Sequence, residues 1–253
     1  MIMDRLSNVS SIEQQGEIVQ ATPLADSSVY FYTKRAFDFI VVAFAIVALA
    51  PVLALIALII RLDSDGPALY TQERITAVRR KKDGKYYWEP VRFKIYKFRT
   101  MKAGASSKVH QQFIAAYING DEEGMARLQQ KKAEEASKFK LSGDTRITKI
   151  GSLLRKTSLD ELPQLWNVLK GEMSLVGPRP PIPYEVEMYH PHHFVRLMSI
   201  QGMTGLWQVT GRDSISFEDM VRLDAEYIEN QSFWYDITLI FKTVGVMVKS
   251  KAK

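Results

Sequence analysis

The 253-residue chain contains no cysteine, which excludes a disulfide framework and a thiolate-ligated zinc site. Its four histidines offer no substitute. Three of them, His190, His192 and His193, cluster in YHPHHF, and adjacent histidines in a proline-containing turn are typical of surface chemistry rather than of a zinc cage. The sequence also lacks a Walker loop, a dinucleotide-binding fingerprint, internal repeats and low-complexity segments.

Residues 1–30 have neither the basic start nor the apolar core of a signal peptide. They are polar and aperiodic, so we expect a mobile N-terminal tail. An apolar segment follows over residues 31–62, and residues 63–253 have the mixed composition of a soluble domain. The predicted organisation is therefore a tail, a membrane segment and one catalytic-size domain.

The excess of basic residues gives a net charge of +6 and a pI near 9.3. This balance favours an anionic partner, which could be nucleic acid, an acidic membrane surface or a phosphorylated substrate. Plain solubility explains the charge equally well. We set nucleic acid aside because it leaves the apolar segment without a purpose.

The apolar segment, FIVVAFAIVALAPVLALIALII, runs without interruption from Phe39 to Ile60. At ~1.5 Å per residue, such a helix is about as long as the ~30 Å hydrocarbon core of a bilayer is thick. A buried helix of a soluble core is rarely this long and apolar on all sides. The sequence therefore predicts insertion into a membrane.

The charged residues on either side of this segment do not show whether it crosses the membrane or returns to the same face. Lys34 and Arg35 precede it and Arg61 follows it, so the positive-inside rule gives no orientation. Pro51, in the middle, removes a backbone N–H and predicts a kink. These features suit a re-entrant helix that returns to the face it entered, and a simple span is the alternative.

The remaining chain predicts an α+β fold that is mainly helical. The stretch RRKKDGKYYWEPVRFKIYKFRTM is typical of a β-hairpin that turns at Asp83-Gly84. Residues 106–140 are charged and helical in pattern, with Gly120 and Gly124 dividing two helices, and we interpret them as a surface elaboration. Further helices are predicted from Ser158 to Lys170, from Phe217 to Asn230 and from Trp234 to Lys249. The last has an apolar face flanked by aromatic residues and lysines, which suits either the membrane interface or the core.

The stretch LLRKTSLDELPQLWNVLKGEMSLVGPRPPIP carries the strongest chemical signal. Ser158 and Glu161 have the spacing of a capping box, and Asp160 and Glu161 would then occupy the first turn of a helix, where acids are favoured. This structural account is complete by itself, and Ser158 would be the N-cap.

Nearby arginines favour a second interpretation of the two acids. Arg155 precedes them, and Arg179 lies in a loop where four of the six residues 178–183 are proline and therefore hold it stiffly. The guanidinium fork suits phosphate oxygens, and an aspartate can attack phosphorus to form an acyl phosphate once the charge of the phosphate is neutralised. Magnesium, held by one or two carboxylates, neutralises such charge well.

Two other stretches supply candidate phosphate ligands. In YKFRTMK, Lys97 and Arg99 lie two apart on a predicted strand and so share a face. Solvated surface charge explains them as well as a diphosphate pocket does. In QGMTGLWQVTGR, the glycines at 202, 205 and 211 predict tight turns beside a further candidate, Arg212.

These stretches resemble the bacterial sugar transferase family, the monotopic polyprenyl-phosphate glycosyl-1-phosphate transferases. The resemblance extends from about Tyr32 to Val248 and is carried by KRAFDFI, DGPALYTQERI, YKFRTM, GMTGLWQVTGR and DTRITKIGSLLRKTSLDELPQLWNVLKGEMSLVGPRP. The last block is the most specific.

The resemblance implies a chemistry and a location. It implies that Asp160 is the nucleophile of an Asp160-Glu161 dyad that binds Mg²⁺, and that a phosphosugar-aspartyl intermediate forms as UMP leaves a UDP-sugar. Polyprenyl (undecaprenyl) phosphate would then accept the sugar phosphate. Arg155 and Arg179 would bind phosphate, and Lys97 and Arg99 would form the wall of the site. A re-entrant helix in the bacterial inner membrane, with the domain on the cytoplasmic face, is also implied; a homo-oligomer is left open.

The sequence departs from the family pattern in three places. Ala50-Pro51 stands where the family often has Ser-Pro, so the local geometry of the helix break is not fixed by the resemblance. The elaboration at 106–140 is longer than in compact members. The four-helix membrane bundle of larger relatives is absent from the sequence, which favours a minimal catalytic form.

Overall fold

The computed structural model describes residues 19–20, 28–102, 108–129, 146–210 and 215–251. The described strands are β1 (Val19–Gln20), β2 (Leu69–Lys82), β3 (Lys85–Phe98), β4 (Ser174–Val176) and β5 (Gly202–Thr204). The described helices are α1 (Ser28–Asp63), α2 (Lys108–Ile118), α3 (Glu122–Gln129), α4 (Lys149–Thr157), α5 (Gln164–Lys170), α6 (Pro183–Val186), α7 (Leu206–Thr210), α8 (Phe217–Asn230) and α9 (Phe233–Lys251), with 3₁₀ turns at Leu159–Glu161 and Pro191–Leu197. The predicted α+β, mainly helical class is confirmed.

The β-hairpin forms where its turn signal predicted. β2 and β3 pair antiparallel from Leu69↔Phe98 to Lys82↔Lys85, so Asp83 and Gly84 form a two-residue turn. Both have positive φ, 51° and 79°, which matches the twist of the paired strands. β1 pairs with the other edge of β3, giving the sheet order β1-β3-β2. This pair belongs to the predicted tail. Of the other tail residues, 28–30 begin helix α1, and 1–18 and 21–27 lie outside the described residues.

Helix α1 contains the whole apolar segment and begins at Ser28, three residues before the predicted boundary. It continues through Pro51, so the predicted kink does not divide it into two helices. It is long and apolar enough to cross a membrane, and only 11% of its most apolar window is buried. Phe44 is 77% exposed and Val47 75% exposed, so one face of α1 lacks the cover that a soluble core would give it.

Both halves of α1 pack on the rest of the protein. In the first half, Val42 is buried in a cluster with Phe93 and Leu165. In the second half, Ile56 and Ile60 are buried in a cluster with Phe98 and Leu154. Both halves of α1 are therefore held by one body, and strand β3 contributes to the contact in each case.

The segment predicted as a surface elaboration is part of the core, so that prediction is wrong for its described residues. α2 and α3 do form on either side of Gly120, although Gly124 lies within α3. Phe113, Ile114 and Tyr117 of α2 are buried in a hydrophobic cluster with residues of α8. The sequence analysis missed this apolar face because the segment as a whole is rich in charged residues.

The parallel pair β4–β5 brings two glycine-containing segments into close contact. Gly202 lies in β5 rather than in the predicted turn, and a Cβ there would meet the backbone nitrogen of Gly177 at 2.1 Å. Gly202 is needed for this close approach of two backbones, and Gly205 meets the carbonyl of Gly177 in the same way. Gly211 lies outside the described residues.

Candidate active site: a cationic cavity around Asp160 and Glu161

The two acids of the predicted dyad lie on the 3₁₀ turn between α4 and α5. Ser158 ends α4 and also occupies the N-cap position of the 3₁₀ turn, in the left-handed conformation (φ 57°), but its side chain makes no capping hydrogen bond. The predicted continuous helix from Ser158 to Lys170 is therefore wrong, and so is the capping box. The box required the side chain of Glu161, which instead pairs with Lys97 and Arg179.

Glu161 is held by two cations. Its Oε1 accepts a hydrogen bond from Lys97 Nζ at 2.8 Å and lies 3.5 Å from Arg179 Nη1. Burial alone would raise the pKa of Glu161, but Lys97 and Arg179 outweigh it and hold this pKa well below its usual range. Glu161 is therefore a fixed negative charge.

The pKa of Asp160 is shifted in the opposite direction from that of its neighbour. It is 9% exposed, and burial, followed by the charge of Glu161, raises the pKa of Asp160, while Lys97 and Arg155 oppose the rise. Two adjacent carboxylates whose pKa values are driven apart are typical of sites with divided chemical roles. The carboxylate of higher pKa is the more basic of the two and hence the better nucleophile.

Both acids line a cavity of about 250 Å³. Five arginines and one lysine line it, against three carboxylates. Lys97, Arg155 and Arg179 are among these cations, so the structure brings three of the predicted phosphate ligands together with the dyad. The excess of positive charge suits a ligand with several negative charges, such as a diphosphate.

Arg74 is a cavity residue that the sequence analysis missed. It lies on β2, is 7% exposed, and donates from Nη1 to the carbonyl of Pro180 at 2.8 Å. The neighbouring N–H of Ile75 donates to the carbonyl of Pro181 at 2.9 Å. β2 thus fixes the proline loop that carries Arg179. Burial and the charge of Arg179 lower the pKa of Arg74 to about 10, and it stays charged at neutral pH.

Arg99 does not join this site. It follows β3 and turns away from the dyad to the end of α1, where its Nη1 donates to the carbonyl of Asp65 at 2.5 Å and its Nη2 to that of Ser64 at 2.6 Å. A guanidinium at the C-terminal end of a helix satisfies carbonyls that have no partner within the helix. The structure therefore gives Arg99 a structural position. Arg212 lies outside the described residues.

Helix α5 connects the dyad to the long apolar helix α1. Arg35 of α1 donates from Nη1 to the carbonyl of Val168 at 2.5 Å and from Nη2 to that of Leu169 at 2.7 Å, closing the C-terminal end of α5. Asn167 links α5 to β3, accepting from the N–H of Tyr96 at 3.0 Å. The turn that carries Asp160 is thereby connected to α1 through α5.

The histidine cluster differs from its prediction as surface chemistry, because His193 is fully buried. Ligand atoms of His192, His193 and Glu218 lie within 4.8 Å of one another. Nδ1 of His193 accepts from the backbone N–H of His190 at 3.0 Å, which places the ring proton on Nε2, 2.8 Å from Glu218. A protonated Nε2 is a hydrogen-bond donor and not a metal ligand.

Comparison with known proteins identifies one family, and the match covers most of the chain. A family model described as bacterial sugar transferase matches residues 29–250. The UDP-galactose-lipid carrier transferase of Erwinia amylovora is 42% identical over 218 residues, which are 86% of this chain and 41% of that protein. The undecaprenyl-phosphate galactose phosphotransferase of Salmonella typhimurium is 38% identical with the same coverage.

A shorter relative matches over most of its own length. The exopolysaccharide production protein ExoY of Sinorhizobium fredii is 36% identical over 219 residues, which are 87% of this chain and 87% of that protein. The chain therefore spans about 41% of the length of the first relatives and nearly all of ExoY.

Proposed function

Because this chain belongs to the bacterial sugar transferase family, we propose that it transfers a sugar 1-phosphate from a UDP-sugar to undecaprenyl phosphate. The observation that carries the proposal is the placement of Asp160, a carboxylate of raised pKa, in a cavity whose lining has more cations than acids. The names of two relatives include a lipid carrier or undecaprenyl phosphate as acceptor, which supports the same acceptor here.

In the first half-reaction, a carboxylate oxygen of Asp160 attacks the phosphorus that bears the sugar. The bond from this phosphorus to the oxygen of UMP breaks, UMP leaves with that oxygen, and a phosphosugar-aspartyl intermediate remains. Lys97, Arg155, Arg179 and Arg74 are positioned to hold phosphate oxygens and to offset the charge that develops during transfer.

In the second half-reaction, an oxygen of undecaprenyl phosphate attacks the same phosphorus, and the Asp160 carboxylate is the leaving group. The products are a lipid-linked sugar diphosphate and the regenerated enzyme. Splitting the transfer in two lets a soluble donor and a lipid acceptor use one nucleophile in turn.

The donor set fits Mg²⁺. Two consecutive carboxylates supply hard oxygen ligands, and Glu161, held ionised by Lys97 and Arg179, keeps its charge at any physiological pH. Asp160 and Glu161 would hold the ion, whose chemistry is to neutralise diphosphate charge. Lys97 occupies Oε1 of Glu161, so Glu161 would offer its other carboxylate oxygen, Oε2, to the ion.

The location that suits this chemistry is the cytoplasmic face of the bacterial inner membrane. Exposed apolar side chains run along α1, and on α9 Trp234 is 76% exposed and Phe241 73% exposed while Leu239 is buried. An exposed aromatic face beside a membrane helix suits the bilayer interface. Both halves of α1 pack on one domain, which supports a re-entrant path over a simple span.

The test is release of UMP by the purified full chain in lipid nanodiscs. We expect UMP from at least one UDP-sugar, with a stoichiometric amount of sugar phosphate recovered on undecaprenyl phosphate. Lack of turnover across a panel of UDP-sugars, with the protein folded and lipid phosphate present, would contradict the proposal and favour a non-catalytic scaffold.

A further inference from the structure

The cavity extends beyond the dyad to a wall formed by helix α2. His110, Ile114 and Tyr117 line it at positions i, i+4 and i+7, which place them on one face of the helix. No step proposed above uses this wall. It belongs to the segment that the sequence pattern had assigned to the surface.

The wall is fixed by core packing. Ile114 and Tyr117 are both buried, and the Tyr117 ring packs edge-on against Phe217 of α8 with 5.6 Å between centroids. The Tyr117 hydroxyl donates to the carbonyl of Ile215 at 3.2 Å. Side chains held this way form a preorganised surface that can discriminate between ligands of similar shape.

His110 presents a neutral polar group to the cavity. Its Nδ1 lies 2.7 Å from the hydroxyl of Tyr184, which follows the proline loop on α6. Burial and the nearby charge of Arg74 lower the pKa of His110 to about 4, and burial raises the pKa of Tyr184 to about 12, so both rings are neutral at pH 7. Nε2 of His110 has no hydrogen-bond partner among the described residues.

A neutral imidazole with one engaged nitrogen can use the other as a donor or as an acceptor, depending on the tautomer. A hydroxyl group serves either case because it both donates and accepts. The carbonyl oxygens and ring N–H of a uracil each have a single role. The chemistry of His110 therefore matches a hydroxylated ring best.

Gln208 adds a second polar group to the same cavity. Its Nε2 donates to the carbonyl of Met203 at 3.1 Å, whereas its Oε1 is buried and has no partner in the described part of the chain. A buried acceptor without a donor is rare in a folded protein and indicates that a ligand supplies the donor. A sugar hydroxyl would satisfy it.

The size of the cavity decides which part of the donor it encloses. At about 250 Å³ it is smaller than the ~300–1,000 Å³ of pockets that enclose a whole drug-sized ligand. The nucleotide sugar is therefore enclosed in part. The phosphorus attacked by Asp160 is joined through one oxygen to the sugar and through another to the second phosphate. The nucleoside lies beyond that second phosphate, so the sugar is the uncharged part of the donor that lies nearest to the dyad.

We propose that the α2 wall binds the sugar ring of the donor and that His110 is a specificity-determining residue, oriented by Tyr184. This inference rests on the proposed transferase function and adds to it the part of the chain that distinguishes one UDP-sugar from another. The wall is separate from the residues that we propose to hold phosphate, so a substitution in it can change the choice of sugar without removing the phosphate chemistry.

The experiment compares kcat/KM for UMP release across a panel of UDP-sugars that differ in single hydroxyl groups. The variants are His110→Ala and Tyr184→Phe, which keeps the ring and removes the hydroxyl. Gln111→Ala is the matched control because Gln111 is the next residue of α2 and is exposed. Thermal melting of each variant reports folding separately from specificity.

We expect His110→Ala to reduce the preference for the best UDP-sugar over its epimer by roughly tenfold. Tyr184→Phe should change the preference in the same direction by less, and Gln111→Ala should leave it unchanged. A uniform loss across all sugars would overturn the inference and leave the transferase function standing. A change in preference between UDP- and CDP-sugars alone would assign the wall to the base and overturn it too. Absence of UMP release by the unsubstituted protein would instead refute the proposed function.

Discussion

At the scale of single residues, the account depends on the unequal environments of two adjacent acids. Glu161 is paired with Lys97 and Arg179, whereas Asp160 forms no ion pair with any described residue, and burial raises its pKa. The sequence could identify both acids and the arginines near them, because their spacing along the chain is short. It could not assign their roles, because Lys97 reaches Glu161 from 64 positions away.

Asp160→Asn tests the nucleophile. Asparagine has the shape of aspartate without its charge, and we expect turnover to fall by at least ~10³-fold because the attacking oxygen is lost. Burial opposes the charge at this position, so the variant should melt at the same temperature as the parent or higher. UMP release and a thermal melt measure the two effects, and near-normal turnover would remove Asp160 from the nucleophile role.

Arg155→Gln tests the electrostatics of the same carboxylate. The charge of Arg155 lowers the pKa of Asp160, so its removal should raise that pKa further. Asp160 must be ionised to attack, and activity is therefore lost as pH falls through its pKa. We expect the acidic limb of the kcat/KM profile to lie above the ordinary range for aspartate and to move to higher pH in the variant. Exposed Lys156→Gln is the control and should leave the limb in place.

At the scale of elements, the sequence predicted structure wherever local pattern and tertiary environment agree. The hairpin is an example, since alternating residues and Asp83-Gly84 determine it without help from distant parts of the chain. The capping box at Ser158 is the opposite case, because Glu161 finds a better partner in Lys97 than in a helix N-terminus. The burial of α2 was not predicted for a similar reason, because its apolar face is buried by contact with α8, which is distant in the sequence.

Arg99 is another case in which the fold decides, and it yields a prediction for helix α1. Arg99→Ala should destabilise the protein by about 2–4 kcal/mol, because several charge-assisted hydrogen bonds to the end of α1 are lost. The KM for UDP-sugar should not change, since Arg99 does not line the cavity.

The matched control for Arg99 is Arg92→Gln on β3, the strand that Arg99 follows. Arg92 forms an exposed ion pair with Glu73, so its removal should cost less than about 1 kcal/mol. Denaturant unfolding in detergent measures both variants. A raised KM with unchanged stability in Arg99→Ala would restore Arg99 to the wall of the active site.

At the scale of the whole molecule, a helix long and apolar enough to cross a membrane packs on the domain that contains the cationic cavity. Arg35 of α1 holds α5, and α5 follows the turn that carries Asp160, so the carboxylate that we propose as the nucleophile is connected to α1 through α5. The composition of the apolar segment predicted this helix, but its path could not be predicted, because the flanking charges are alike.

The absence of cysteine allows this path to be tested with single substitutions. Tyr32→Cys and Asp63→Cys lie near the two ends of α1, and Arg222→Cys reports the side of the domain. For a re-entrant helix, all three should react with an impermeant maleimide in inside-out vesicles and be protected in intact cells. Labelling of one end of α1 from the periplasmic side would show that the helix spans the membrane.

The most direct test of the central claim is to look for the covalent intermediate itself. The full chain is incubated with its UDP-sugar and Mg²⁺ in the absence of lipid phosphate, digested at low pH, and analysed by mass spectrometry. We predict a sugar-phosphate adduct on the peptide that contains Asp160, absent from Asp160→Asn and discharged when undecaprenyl phosphate is added. Release of UMP only in the presence of lipid phosphate, with no adduct at any time, would contradict the two-step account.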